Sequence, residues 1–195
     1  MLAWAEAGNV HMFSKKPIRK VEDIIGLKIW TWSGDPVSKV TFSVMGNNPI
    51  PLPITDVTTA LNTGMIDTVY APPLGALVLQ WNAYTRYMSA MPLTHSTGAL
   101  LITKKFFKRL PPDLAKLLRD STDKAMLDLT AKTRVQVEEA VTLMKNSGLQ
   151  IVPSPTGSNI EKFYKVHDLA AKKLTGKLFD KALLHRVYAV LEKNR

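Results

Sequence analysis

LKIWTWSGDPVSKVTFSVMGNNPIPLPITDVTTALNTGMIDTVYAPP, residues 27–73, is the stretch whose reading decides the fold. Leu27–Thr31 is β-rich and predicts a short strand. Pro36 stands where a first helical turn begins, with Asp35 before it as N-cap, so a helix is expected through Met45. Gly46-Asn47-Asn48-Pro49 then supplies turn chemistry. Ile50 to Ile54 carries proline at alternate positions, which forbids helix and suits an edge strand. Thr55 is expected to cap a second helix, with Asp56 in its first turn and Gly64 closing it. Met65–Tyr70 reads as a third strand, stopped by Pro72-Pro73. The order β-α-β-α-β predicts an α/β fold whose strand ends can carry a ligand site.

Working outward, Leu74–Met88 is rich in large apolar residues and reads as helix, and Ala99–Ile102 as a short strand bounded by Gly98. Pro111-Pro112-Asp113 opens a long helix. Leu114, Leu117, Leu118, Ala125, Leu129, Val137, Ala140, Val141 and Met144 recur mostly at three- and four-residue steps, with no breaker before Ser147-Gly148. That predicts about 35 helical residues, roughly 50 Å, enough to lie across two lobes or to protrude. Leu149–Val152 reads as a returning strand, Pro153–Ser158 as a loop and Ile160–Leu191 as mixed helix.

The chain has 195 residues and 46% hydrophobic composition, ordinary for a packed globular protein. It contains no cysteine, which excludes disulfides, thiolate metal sites and cysteine nucleophiles and leaves the compartment unread from redox chemistry. No apolar run approaches the roughly 18 residues of a membrane span. MLAWAEAGNVHMF, at the start, lacks a basic region and cleavage site, so the expectation is a cytosolic protein or a mature or partial chain. The net charge is +10, yet Ile24 to Thr103 is neutral: Lys28, Lys39 and Arg86 balance Asp35, Asp56 and Asp67. The basic residues fall in groups at Lys15–Lys20, Lys104–Arg109 and Lys172–Lys177, without interleaved aromatics. This is the pattern of a solvated basic surface rather than of a nucleic-acid interface; nucleic-acid binding would show a salt-dependent affinity.

Catalytic signatures are missing. His11, His95, His167 and His185 form no ligand pair at helical spacing, so no metal is expected, and there is no nucleophile elbow, P-loop or dinucleotide fingerprint. Asp56 is explained by the helix start it occupies. No enzyme and no cofactor are expected. Trp30 and Trp32 share one face of their strand, Asp35 follows, and Tyr70 ends the third strand. These residues read either as core or as the wall of a ligand site, whereas Trp81, Tyr84 and Tyr87 read as packing.

Several of these segments resemble the solute receptors of TRAP transporters, the DctP-like family. Pro17-Ile18 through Glu22-Asp23-Ile24-Ile25-Gly26-Leu27-Lys28-Ile29 resembles the family's "kPI…veDlkGLKiR", and Gly46-Asn47-Asn48-Pro49-Ile50-Pro51-Leu52 its "GA.PtPmp". Residues 56–67 are similar to "evytALqtGvvDg". Leu100 to Phe107 with Leu110-Pro111-Pro112 is similar to "lliskkfw..LPpe", and Gly148-Leu149-Gln150-Ile151 to the "Gvev" after the long helix. The resemblance implies a periplasmic, two-lobed, type II binding-protein architecture that closes on a small molecule and delivers it to TRAP membrane subunits. It implies that residues 7–94 form lobe two, 95–134 return to lobe one with the start of a lobe-spanning helix, and 135–195 rejoin lobe two. The N-terminal part of the family's chain has no counterpart in this sequence, so homodimerisation or exchange of elements is expected to cover lobe one.

This sequence departs from the family at the positions that clamp carboxylates. The family's clamping arginine follows "GLKi", where Trp30 stands; a supporting arginine aligns with Val10, and the asparagine of "eNP" aligns with Ala71 before Pro72. Guanidinium is the best bidentate partner of a carboxylate, and indole removes that charge. The expected ligand is therefore non-acidic, hydrophobic, aromatic or cationic, and not a dicarboxylate or sialic-acid-like molecule. The expected contacts are Trp30, Trp32 and Tyr70 as walls, Ala71 and Pro72 at the strand end, and Asp35 orienting a polar or cationic group. The competing reading is a truncated interaction or oligomerising module without a ligand of its own.

Overall fold

A strand that the sequence reading did not anticipate organises the first of two compact units. In the computed structural model, which describes residues 1–193, β1 (Ala3–Ser14) is the longest strand. The unit comprises Met1–Phe13 and Tyr70–Ile151. Its sheet runs β4 (Thr68–Ala71), β1, β5 (Tyr87–Ser89), β7 (Gln150–Val152), with β6 (Thr94–Leu100) also paired to β1. β6 lies antiparallel to β1, from Ala3 opposite Leu100 to Val10 opposite Thr94, with a register shift between Glu6 and Gly8. Gly8 has φ 101°, so the backbone at the irregularity requires glycine, and Val137 of a helix lies beside it. That helix is α5 (Pro112–Asn146), 35 residues long, as the apolar spacing predicts. All of it belongs to the first unit, where α3 (Pro73–Val78) packs against it. A four-residue helix, α4 (Lys104–Phe107), precedes it.

The second unit comprises Ser14–Val69 and the chain from Val152 onward. Here the β-α-β-α-β order is realised. β2 (Trp30–Trp32) and β3 (Ile50–Leu52) are parallel, with Trp30 opposite Ile50, and Ile29 bridges Thr68 in the same sense. Between them run α1 (Pro36–Val44) and α2 (Ile54–Thr63). Parallel strands need such crossovers, and the apolar runs at the strands follow from burial on both faces. Ile24, Ile29, Trp30, Phe42, Val57, Leu61 and Ile66 are essentially inaccessible. α6 (Ser158–Leu174) packs on α1, and α7 (Lys181–Lys193) ends the described chain. Positions 194 and 195, the end of the segment 135–195 assigned above, lie outside the described residues.

Several local expectations need correction. Leu74–Met88 is not one helix: α3 stops at Val78, Gln80 has φ 58°, a 3-10 turn follows over Trp81–Ala83, and β5 begins at Tyr87. Large apolar side chains favour neither period there; burial of Trp81, with Thr85 Oγ1 donating to its carbonyl at 3.0 Å, holds the turn. The strand expected at Ala99–Ile102 occupies Thr94–Leu100, because its partner is β1 and the register sets its length. Thr55 is not a cap; Pro53 is the N-cap of α2, and the Thr55 hydroxyl donates to Asp56 instead. The strands expected over Leu27–Thr31 and Met65–Tyr70 begin later, at Trp30 and Thr68.

Asn47 ties the turn after α1 to the chain before β2: its Nδ2 donates to the carbonyls of Ile24 at 2.8 Å and Leu27 at 2.9 Å, in a buried setting. The Ile24 carbonyl also accepts from the Leu27 amide at 3.2 Å, so the Leu27 carbonyl depends most on Asn47. Leaving it unpaired costs about 2 kcal/mol. Asn47→Ala is expected to lower the denaturant midpoint accordingly with an unchanged m-value; an unaltered midpoint in equilibrium unfolding would contradict this role.

Candidate ligand-binding residues

Trp30, Trp32 and Asp35 lie together in the second unit. Strand alternation puts both indoles on one face of β2, and their ring centroids are 5.5 Å apart at an interplanar angle of 50°. Their environments differ sharply. Trp30 is 1% exposed, and its Nε1–H donates to the Leu52 carbonyl at 3.0 Å, across the parallel pair β2–β3. Trp32 is 45% exposed and offers ring surface to solvent, backed by Trp30. Thr31, on the opposite face, is buried, with its hydroxyl against that of Ser38 in α1. Asp35 caps α1 as the sequence predicts: Oδ1 accepts from the Val37 amide at 2.9 Å and the Ser38 amide at 3.3 Å. One of its oxygens is thus committed to the backbone.

Tyr70, Ala71 and Pro72 are contiguous in the first unit. Ala71 is buried and Tyr70 half-buried at the end of β4. Pro72 is the N-cap of α3, its carbonyl accepting from Ala76 at 3.0 Å, and Pro73 follows at the first helical position. Val10 is buried in β1, and its carbonyl accepts from the Leu93 amide at 2.8 Å. Val10, Trp30 and Ala71 therefore each carry a buried apolar side chain. Among the described residues no group of three or more His, Cys, Asp or Glu could hold a metal ion, and no helix is long and apolar enough to cross a membrane.

Polar groups of the first unit escaped the sequence reading. The Glu6 carboxylate takes a two-pronged hydrogen bond from Arg134 of α5, at 2.7 Å from Nε and 2.8 Å from Nη2, with His95 Nε2 at 3.8 Å. The Glu6 amide donates to Thr130 Oγ1 at 3.2 Å, fastening β1 to the same helix. His11 holds the Ser89 carbonyl at 2.8 Å through Nδ1, and burial pushes its pKa below the usual histidine range. Glu6 and Arg134 are 128 positions apart, so no spacing rule connects them.

Residues 1–177 match DctP, the bacterial extracellular solute-binding protein family 7. The chain belongs to this family. Family 7 comprises solute-binding proteins and not enzymes. The chain is 29% identical over 156 residues to the 2,3-diketo-L-gulonate-binding periplasmic protein YiaO of Escherichia coli, covering 76% of this chain and 44% of that protein. It is 24% identical over 181 residues to the C4-dicarboxylate-binding periplasmic protein DctP of Rhodobacter capsulatus, covering 89% and 53%. A TRAP periplasmic solute-binding protein of Ochrobactrum anthropi, with its C-terminus bound in the ligand-binding pocket, superposes with a TM-score of 0.81. That pair is 26% identical over all of this chain and 60% of the other. The fold is thus the α/β, two-lobed type II periplasmic-binding-protein class of DctP-like proteins. The chain spans about half the length of the curated relatives it matches.

The hydrogen bonds from Arg134 hold the Glu6 carboxyl below its ordinary value of 4.5. A carboxylate with a lowered pKa contributes stability that is present above the ordinary value and lost as pH falls through the lowered one. Arg134→Met is therefore expected to lower Tm at pH 7. The difference from the parent should shrink only below about pH 4.5, as Glu6 protonates in both proteins. A Tm difference independent of pH in thermal melts would contradict the assignment.

Proposed function

We propose that this chain acts as an extracytoplasmic solute receptor of a TRAP-type transporter, periplasmic in location, that captures a small molecule and presents it to TRAP membrane subunits. Membership of family 7 supports this, as do the periplasmic binding roles in the names of its relatives. The assignment of residues 7–94 and 135–195 to lobe two, and of 95–134 to lobe one, is kept as a proposal. The compact units suggest closer bounds, with Ser14–Val69 folding together with the chain after Val152.

Within this reading the ligand is non-acidic and has an apolar or aromatic face. The relatives' names specify carboxylates, 2,3-diketo-L-gulonate and C4-dicarboxylates. The reading departs from them on Trp30, which the resemblance sets at the position of the clamping arginine: its indole is buried and its Nε1–H donates to the Leu52 carbonyl. A bound dicarboxylate would meet no guanidinium at that position. Trp32 supplies the exposed ring, with Trp30 behind it; Tyr70, Ala71 and Pro72 are the proposed contacts of the first unit, and Asp35 favours a cationic group. A second reading is an interaction or oligomerising module without a ligand of its own.

Titration of intrinsic tryptophan fluorescence with succinate and with phenethylamine, an aromatic cation, separates these readings. The expected outcome is saturable quenching by phenethylamine that weakens about tenfold in Trp32→Ala, the equivalent of about 1.4 kcal/mol, and no response to succinate. Saturable succinate binding overturns the ligand class while leaving the receptor role. Native mass spectrometry showing no small-molecule adduct, with no response to either probe, favours the module.

A further inference from the structure

We infer that Trp30 is a positioning residue: its buried indole, held by the Leu52 carbonyl, fixes the orientation in which the ring of Trp32 meets a ligand. This role rests on the use of Trp32 as a ligand contact proposed above, and every contact that supports it lies inside the second unit. Alternation along β2 sets both side chains on one face, and the strand ends at Trp32. The backbone of Trp32 is held twice. It stands opposite Leu52 in the parallel register, and its carbonyl accepts from the Asp35 amide at 3.2 Å. That hydrogen bond closes a turn over Ser33 and Gly34, where φ is 84°. Neither contact sets the ring, because the second side-chain torsion of an aromatic residue has a broad minimum.

The ring is set against Trp30, at 5.5 Å between centroids and 50° between planes. Trp30 in turn is 1% exposed, and its Nε1–H reaches the Leu52 carbonyl at 3.0 Å. Leu52 therefore serves both tryptophans: it pairs with Trp32 in the register and accepts from the indole of Trp30. Burial alone does not call for indole at position 30. Ile24, Ile29, Phe42, Val57 and Leu61 fill the same unit with side chains that carry no polar atom. What indole adds is an N–H that fastens its plane to β3, and a fastened plane is what a neighbouring ring can rest on. A ring held in place before the ligand arrives loses less freedom on binding, which strengthens binding without a new contact. The pair stands at the C-terminal end of two parallel strands, where open α/β sheets take their ligands.

The test uses the full chain labelled with 5-fluorotryptophan, with the Trp32 signal assigned by its loss in Trp32→Phe. Fluorine relaxation then reports the mobility of that ring. The expected result is a rigid Trp32 ring in the parent and a mobile one in Trp30→Phe, which keeps an aromatic ring but lacks the donor. Phenethylamine should bind Trp30→Phe about fivefold more weakly than the parent, both measured well below the melting transition. A merely structural Trp30 would lower Tm and leave ring mobility and affinity at the parent's values, and that result overturns the proposal. Should Trp30→Phe fail to fold, the parent decides, because a mobile Trp32 ring there overturns it as well. Absence of phenethylamine binding by the parent overturns the ligand reading instead, and ring mobility still decides whether Trp30 fixes Trp32.

Discussion

Three strands of the five-stranded sheet take their hydrogen bonds from one segment, Ala3–Ser14. β4, β5 and β6 lie far from it in sequence, and β6, which pairs with β1, would leave its amides and carbonyls unpaired without it. The same segment anchors the long helix: Val137 lies against Gly8, and Glu6 holds Arg134. Helix α5 buries little along its first half, so its attachment to the first unit rests on Val137, Ala140 and Met144 further along, on α3, and on these contacts. The first unit is organised by the strand with the least conspicuous sequence in it.

In the second unit the comparable constraint is the placement of an indole in the core. A charged guanidinium buried as deeply as Trp30 would need a full set of partners to offset several kcal/mol of desolvation. An indole needs one, and the Leu52 carbonyl supplies it. That hydrogen bond crosses the β2–β3 pair, so the buried indole also joins the two strands. The buried indole of Trp30 thus supports the exposed ring of Trp32. The exposed ring and the helix cap at Asp35 then remain the outward-facing chemistry of this part of the unit.

Much of the second unit was legible in the residues. Asp35-Pro36 predicted a capped helix start, and the two amides on Asp35 Oδ1 are that cap. Prolines at 51 and 53 predicted an extended edge, and β3 lies there. Gly64 predicted the end of α2 and adopts the left-handed conformation. The 35-residue span of α5 came directly from Pro112 and Ser147-Gly148 as its limits. Illegible were β1, whose Ala, Gly and Asn are poor strand formers, and the break after α3, where a left-handed Gln80 replaces the expected glycine or proline. The aromatic residues were visible as a group, but not the difference in burial between Trp30 and Trp32.

Local chemistry acts over a few residues, so caps, turns and periodic faces are determined by the sequence itself: the β-α-β-α-β order, the length of α5, the absence of thiol chemistry and the neutrality of Ile24–Thr103. The tertiary structure alone decided that Ala3–Ser14 is the shared partner of three strands, that Glu6 meets Arg134, and that of two neighbouring tryptophans one is sealed while the other faces water. Each of these depends on which distant segment supplies the hydrogen-bond partner or the covering surface. Spacing along the chain carries no record of that.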